Sequence, residues 1–361
     1  MKIAVLLSGG VDSSVALRLL QKEGHDLTAF YLKIWLQDEF SFLGECPWEE
    51  DLEYVRSVCK QAGVPLEILS LQTEYWDTVV TYTISEIKEG RTPNPDMFCN
   101  SLIKFGQFYD KIDKSFEKVA SGHYAAVEKA NPSDLGGLQR PTGGLYQLKR
   151  SPDPVKDQTY FLAYLTQHQL SRALFPLGRY KKTEVRKFAD EFDLPNKNRK
   201  DSQGICFLGQ IKFNEFIRHH LGEKKGDIIE IETGEKKGSH EGYYYYTIGQ
   251  RSGLGLSHGP WYVVKKDVKN NIVYISKENK SERSRDNFEA GRFNWISGHK
   301  PAEKNLQVKI RHGANFYNCE LDFTDEDTAQ VKLETPDQGI APGQFAVFYK
   351  DELCLGGGVI L

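Results

Sequence analysis

No stretch of this 361-residue chain strings together more than a few apolar residues, far short of the roughly 18 that a membrane-spanning helix requires. Cysteine is sparse and scattered: Cys46, Cys59, Cys99, Cys206, Cys319 and Cys354 form no C-x-x-C pair. That spacing suits neither a zinc knuckle nor a secreted disulfide framework. Neither sign of charge dominates, since the net charge is −3, so no global basic field draws in nucleic acid and only local patches remain for it. Repeats and low-complexity tracts are absent. The opening Met1-Lys2 and the apolar run from Ile3 to Leu7 end at Ser8-Gly9-Gly10, too early for a signal-peptide core, and read as a first strand. A protein that stays where it is made, or arrives already processed, is expected. The length suits two or three domains.

The lysine of a Walker phosphate loop is missing as well. Behind the first strand stands Ser8-Gly9-Gly10-Val11-Asp12-Ser13-Ser14, with no Gly-Lys-Ser/Thr to follow. Val11 to Glu23 reads as a helix closed by Gly24. A glycine turn opening onto a helix offers backbone N–H groups and a positive helix end to an anion, so the segment predicts a phosphate cradle of another type.

Strand and helix alternate over the first two hundred residues. Leu27–Leu32, Leu66–Leu69 and Lys118–Ala120 are apolar runs suited to parallel strands, and Leu52, Val55, Cys59 and Ala62 share one helical face. The segment from Tyr75 to Glu89 predicts another helix. The alternation predicts a doubly wound parallel α/β sheet with ligands at the carboxyl ends of its strands, where the first loop would meet Gly122. Residues 130–144 read as a surface loop, and 158–192 as a helical stretch. Beyond about 210 short β segments follow, including Val308–Ile310, Ala329–Leu333, Ala346–Phe348 and Leu353–Leu355, as in a small barrel. The expected division is a catalytic α/β domain over 1–210, a small central β-rich domain over 211–285 and a C-terminal β-barrel over 286–361.

Two cysteines stand in unusual settings. Cys99 follows Arg91-Thr92-Pro93-Asn94-Pro95-Asp96, where two prolines enforce an extended approach. Leu102, Phe105 and Tyr109 then predict a helix beginning just after the cysteine. A thiol at a helix start has its thiolate favoured by about 0.3–1 kcal/mol, and Asp96 is placed to act as a local acid or base. Cys206 lies in Asp201-Ser202-Gln203-Gly204-Ile205-Cys206, where Gly204 permits a turn that exposes sulfur. The other four cysteines read as buried structural residues. Lys197, Arg199 and Lys200 predict an RNA-contacting patch, whereas Arg179, Lys181 and Lys182 fit a solvated helix face equally well. Of the run Tyr243–Tyr246, alternate rings at strand spacing would enter the core. His123 reads as a hydrogen-bonded loop histidine beside the nucleotide. Gly356-Gly357-Gly358 has no room for a following helix and is not a phosphate loop.

Taken in order, SGGVDSS (8–14), GRTPNPD (90–96) with Cys99-Asn100, SGHYA (121–125), KDQTYFL (156–162), FPLG (175–178), DSQGICFLG (201–209), YTIGQR (246–251), GPWYV (259–263) and CLGGGVI (354–360) resemble the tRNA-specific 2-thiouridylases of the ATP pyrophosphatase (PP-loop) superfamily, from end to end. The resemblance implies ATP-dependent thiolation of the wobble uridine of tRNA. It places the ATP site at Leu6, Leu7, Ser8, Gly9, Gly10, Val11, Asp12 and Ser13, with Leu32 and Gly122 lining the pocket. Asn94, Pro95 and Asp96 would meet the target base. Cys99 would be the nucleophile and Cys206 the persulfide carrier, the two ending as a disulfide. Lys156, Asp157, Gln158, Arg311 and His312 would touch the tRNA. His312 replaces a tyrosine common in relatives, which puts stacking there in doubt. Magnesium is expected with the ATP, no other metal site is expected, and a persulfide donor or relay protein is expected as a partner. The implied tRNAs are those for Glu, Gln and Lys, and the implied compartment is the bacterial cytoplasm, or an organelle after loss of a presequence. Competing readings are a small-metabolite synthetase with the same loop, a non-catalytic tRNA-binding protein, and an iron–sulfur protein.

Overall fold

The computed structural model describes residues 1–34, 48–130, 145–201, 213–277, 285–337 and 339–361. Strand β1 (Lys2–Leu6) leads through the glycine turn into α1 (Val11–Lys22), and β2 (Asp26–Lys33), α2 (Trp48–Ala62) and β3 (Leu66–Ser70) follow. A helix in three segments (Gln72–Tyr75, Trp76–Val80, Thr81–Lys88; α3) precedes a second one built alike (Pro95–Phe98, Cys99–Gln107, Phe108–Lys111; α4). The middle segment of each is wound as a π-helix. With β4 (Lys118–Ala120) and β7 (Ala173–Leu174) the strands form one parallel sheet in the order β3-β2-β1-β4-β7.

Alternation along β1 makes the sheet two-sided. Ile3, Val5 and Leu7 pack with α1, with Leu52 and Val55 of α2, and with Val185 and Ala189. Ala4 and Leu6 face the other way, into a cluster with Val79, Val80, Met97, Cys99, Ile103 and Phe108. Phe30 of β2 meets Phe108 edge-on at 5.1 Å.

The expected helical stretch over 158–192 is broken. It holds α5 (Thr159–Leu162), α6 (Gln167–Arg172), the strand β7 and α7 (Lys182–Glu191). Thr166 restarts the chain as a capping box: its hydroxyl accepts from Gln169 N–H, and Gln169 Oε1 accepts from Thr166 N–H at 2.9 Å. Pro176 then forbids helix beyond β7.

After α8 (Phe213–Leu221), strands β8 (Gly226–Glu230), β9 (Lys236–His240), β10 (Tyr262–Asp267) and β11 (Ile272–Ser276) form a separate sheet in the order β10-β11-β8-β9. It abuts α3, where the Tyr243 hydroxyl donates to the Lys88 carbonyl. The tyrosine run forms a 3-10 turn instead of a strand, so the buried rings are the adjacent Tyr243 and Tyr244 rather than alternate ones.

Strands β12 (Arg285–Trp295), β13 (Asn305–Lys309), β14 (Tyr317–Phe323), β15 (Thr328–Asp337), β16 (Phe345–Lys350) and β17 (Leu353–Ile360) close into a six-stranded barrel through the β12–β17 pairing. Its sheet is extended by a hairpin from the first half of the chain, β5 (Ala125–Lys129) and β6 (Tyr146–Arg150), with Cys354 opposite Leu148. Gly356–Gly358 belong to β17. The expected loop over 130–144 lies, apart from Ala130, outside the described residues. Among the described residues no helix is long and apolar enough to cross a membrane.

Candidate active site

The glycine turn after β1 lies at the carboxyl edge of the parallel sheet. Gly9 sits at φ +77°, and a Cβ there would stand 2.7 Å from the Asp51 carbonyl oxygen, so only glycine fits. Gly10 is the N-cap of α1 and offers no side-chain acceptor. The first N–H groups of α1 therefore lack intrahelical partners and face outward with the positive end of the dipole. The hydroxyls of Ser13 and Ser14 both donate to the Gly10 carbonyl at 3.0 Å, which holds the turn shut from behind. Gly122, after β4, lies over this turn: a Cβ on it would stand 2.7 Å from the backbone nitrogen of Ser13. Ser8 to Ser13 and Gly122 are thus brought together, while Leu32 sits half-buried near the end of β2, in register with Leu69.

Two supports of this loop escaped the sequence reading. Asn196, fully buried, donates from Nδ2 to the Gly9 carbonyl at 2.8 Å and to Ser14 Oγ at 2.9 Å. Arg199 pairs with Asp51 beneath Gly9 and lies over the Tyr54 ring. Arg199 therefore braces the loop, at a position where the sequence predicted an RNA contact. Lys197 bridges Asp193 at 2.7 Å, and Lys200 is exposed. Nothing in the local pattern around 196 distinguishes that asparagine from a turn residue.

A lysine reaches the cradle after all. Lys182, at the start of α7, places Nζ 2.7 Å from Asp12 Oδ1 and 2.9 Å from Oδ2, and 2.7 Å from Asp201 Oδ1. It is only 14% exposed, so it is not part of a solvated face. Tyr124 donates its hydroxyl to Asp12 Oδ1 at 2.9 Å. Asp201 also accepts from Lys156 and Arg186, each at 2.6 Å. Burial alone would raise the Asp201 carboxyl, but the hydrogen bonds from Lys156 and Lys182 outweigh it and hold it at about 2. Asp201 is the last described residue before Cys206, which lies outside the described residues, as does Cys46.

Cys99 is placed differently from the expectation. The helix begins at Pro95, not after the cysteine, so Cys99 stands one turn inside α4, buried in the apolar cluster that also holds Leu6. The reason is that proline is well suited to the first helical position, where its missing N–H costs nothing. The dipole argument for its thiolate therefore falls. Asn94 is the N-cap, Pro95 is buried, and Asp96 lies in the first turn with a buried Oδ1. The approach to this helix is held by the barrel, since Thr92 N–H donates to the Pro342 carbonyl at 2.8 Å and Gln344 Nε2 to the Thr92 carbonyl at 3.0 Å. Phe105 of α4 meets the His123 ring at 6.2 Å, which ties the cysteine helix to the loop carrying Gly122. Burial, with a smaller push from Lys104, holds the His123 imidazole well below the usual histidine range, and Ser121 Oγ lies 2.8 Å from its Nδ1. Cys59, Cys319 and Cys354 are buried as expected, and burial pushes their thiols up to about 11, 12 and 12.

The expected RNA contacts at 156–158 divide. Lys156 is partly exposed beside Asp201. Asp157 is corrected from surface contact to interior anchor: its side chain is fully buried, 3.2 Å from the equally buried Lys309 Nζ, and accepts from the Thr159 hydroxyl at 3.0 Å. Gln158 Oε1 accepts from Tyr124 N–H at 3.0 Å. Arg311 forms a two-bond clamp on Asp337 at 2.9 and 2.6 Å, and His312 stacks on Phe161 with ring centres 4.6 Å apart.

Three family models match the chain in turn. They are described as a tRNA methyl transferase HUP domain over residues 1–210, a tRNA methyl transferase PRC-barrel domain over 214–277 and an aminomethyltransferase beta-barrel domain over 285–360. The tRNA-specific 2-thiouridylase MnmA of Parabacteroides distasonis is 45% identical over 368 residues, covering 100% of this chain and 99% of that protein. MnmA 2 of Bacteroides fragilis is 46% identical, with 100% of both chains covered. The chain belongs to the tRNA-specific 2-thiouridylase family. MnmA of Porphyromonas gingivalis, at 43% identity, likewise matches this 2-thiouridylase chain along its whole length.

Proposed function

We propose that this 2-thiouridylase-family chain transfers sulfur to C2 of the wobble uridine of tRNA at the expense of ATP. One observation carries the reading: an anion cradle with its own cation, Lys182, shares the edge of one sheet with the loop of Gly122 and His123, against which packs the helix bearing Asp96 and Cys99.

The C2 oxygen of uridine is a poor leaving group, and transfer of the adenylyl group of ATP onto it makes AMP the leaving group instead. The backbone of Ser8–Ser13 and the Lys182 ammonium would hold the pyrophosphate released, an electrostatic role that costs no reorganisation when the donors are preset. Leu6, Leu7, Leu32 and Gly122 would line the nucleotide pocket. Asp12 fits as a carboxylate beside the phosphates for a magnesium ion, whose chemistry there is charge neutralisation. Asn94, Pro95 and Asp96 would receive the flipped base, with Asp96 exchanging the proton. Sulfur would arrive as a terminal persulfide on Cys206. Cys99 would attack the inner sulfur and break the S–S bond, either as the terminal sulfur bonds to C2 or beforehand to release hydrosulfide that attacks C2, and AMP departs by both routes. The Cys99–Cys206 disulfide left behind is then opened by a reductant. Lys156, Arg311 and His312 are proposed as tRNA contacts, the tRNAs for Glu, Gln and Lys as substrates, a persulfide relay protein as donor, and the bacterial cytoplasm as the compartment.

The test is thiolation of unmodified tRNA with ATP, magnesium and a persulfide donor, read as 2-thiouridine by nuclease digestion and mass spectrometry. Product that requires ATP and both cysteines is expected. AMP formation on some other acceptor with no thiolated nucleoside would replace this reading with that of an adenylating enzyme of different substrate.

A further inference from the structure

Helix α4 carries two buried oxygens, Asp96 Oδ1 and Asn100 Oδ1, that have no hydrogen-bond donor among the described residues. They sit four residues apart, about one turn, on either side of Cys99 in sequence. Asn100 is 3% exposed. Its Nδ2 donates to the Phe161 carbonyl at 3.2 Å, and turning the amide over would set two carbonyl oxygens against each other. The amide is therefore fixed, and Oδ1 is an acceptor and nothing else. An unsatisfied buried acceptor costs about 1–3 kcal/mol. Such a group calls for a partner from outside the protein, a water, an ion or a ligand.

This inference rests on the reading of uridine as the substrate. Around C2 the uracil ring presents one donor, the N3–H, between two carbonyl oxygens. Cytosine presents a lone pair at the same place. Asp96 alone cannot separate the two, because a carboxyl that gains a proton also donates. Asn100, with its donor end committed to Phe161, accepts in every protonation state of its neighbour. We propose that Asn100 Oδ1 accepts the N3–H of the target uracil and is the residue that restricts the site to uridine. A pyrimidine with a lone pair at N3 leaves two acceptors facing each other in a buried site.

The experiment pairs two versions of the base with three of the protein. Anticodon stem–loops carrying uridine or cytidine at the wobble position present N3–H against an N3 lone pair, and their affinities are measured by fluorescence anisotropy at one salt concentration. The unaltered protein is expected to prefer uridine by about tenfold or more, the scale of one unmatched hydrogen bond. Asn100→Leu keeps the branched shape, removes the acceptor together with the donor to Phe161, and should bring the two affinities within about twofold of each other. Asn100→Asp keeps an acceptor toward the base and should retain the preference, since any proton it carries is drawn to the Phe161 carbonyl that Asn100 Nδ2 now serves. An Asn100→Leu protein that weakens both loops equally, leaving the preference intact, overturns the proposal, as does an unaltered protein with no preference. Should Asn100→Leu melt or misfold, Asn100→Asp decides: loss of the preference there also overturns it. A protein that prefers uridine yet makes no 2-thiouridine would sink the proposed reaction and leave this contact standing.

Discussion

Lys182 Nζ lies 2.7 Å from Asp12 Oδ1, across 170 residues of sequence. The phosphate loop thus has a lysine, delivered by α7 instead of by the loop. The same ammonium touches Asp201, so one cation joins the loop at the start of the chain to the segment that leads toward Cys206. A triphosphate bound in the cradle as proposed would compete with Asp12 for that cation.

Replacing Lys182 by Met should therefore cut ATP-dependent AMP formation by about 10²-fold, the scale seen when a preset donor to a developing anion is removed. Lys182→Arg should recover part of it. Pyrophosphate release at saturating ATP is the measurement, and a Met variant as fast as the parent would show that the lysine serves Asp12 and Asp201 only.

Cys99→Ser should abolish 2-thiouridine, by at least about 10³-fold, because hydroxyl cannot replace thiol in opening a persulfide. The residue is buried within α4, and the change is nearly isosteric, so the fold should persist. AMP formation with tRNA present should continue. Loss of both activities together would place Cys99 in adenylation or in the packing around it.

The pair Asp157–Lys309 is fully buried and joins the α/β half to the barrel. Lys309→Met leaves a carboxylate unpaired in the interior and should cost about 3–5 kcal/mol of stability, whereas the double change Asp157→Asn with Lys309→Met should cost less than the lysine change alone. Denaturant unfolding of the single and double variants tests this. A double variant whose loss equals the sum of the two single losses would mean that the charges hardly interact.

Asp201 supplies a pH signature. Its carboxyl is held at about 2 in the fold against an ordinary value of 3.8. A depressed carboxyl stabilises the folded state above its unfolded value and loses that contribution as the pH falls. On the order of 2 kcal/mol should disappear between about pH 4 and pH 2, and Asp201→Asn should lose less than the parent over that step by about that amount. Unfolding midpoints of parent and variant at pH 6, 4 and 3 give the comparison; parallel curves would remove Asp201 from the network.

The legible parts were the local ones. SGGVDSS predicted its turn and helix because a positive φ at Gly9 and free N–H groups in the first turn of α1 are properties of seven neighbouring residues. Alternation and apolar runs predicted the parallel sheet. Pro95 misled: read as part of an extended approach, it is the first residue of the helix, which moved Cys99 from a helix end to its interior. Lys182, Arg199 and Asp157 carry ordinary surface residue types. Their burial depends on partners 170, 148 and 152 residues away, and no local pattern encodes such pairings.

What this sequence determined by itself was the list of chemical parts and their local shapes: a glycine cradle at a helix start, two cysteines in marked surroundings, strands and helices in alternation, a β-rich second half. Short-range sterics and hydrogen bonds set those, and they act within a turn or two of chain. Tertiary structure decided which charge faces which. It brought the lysine to the cradle, put Asn196 and Arg199 behind it, took Asp157 out of reach of solvent, and left Asn100 with one committed donor and one open acceptor. The physical reason is that a buried polar group is settled only by the partner that packs against it, and that partner can come from anywhere in the chain.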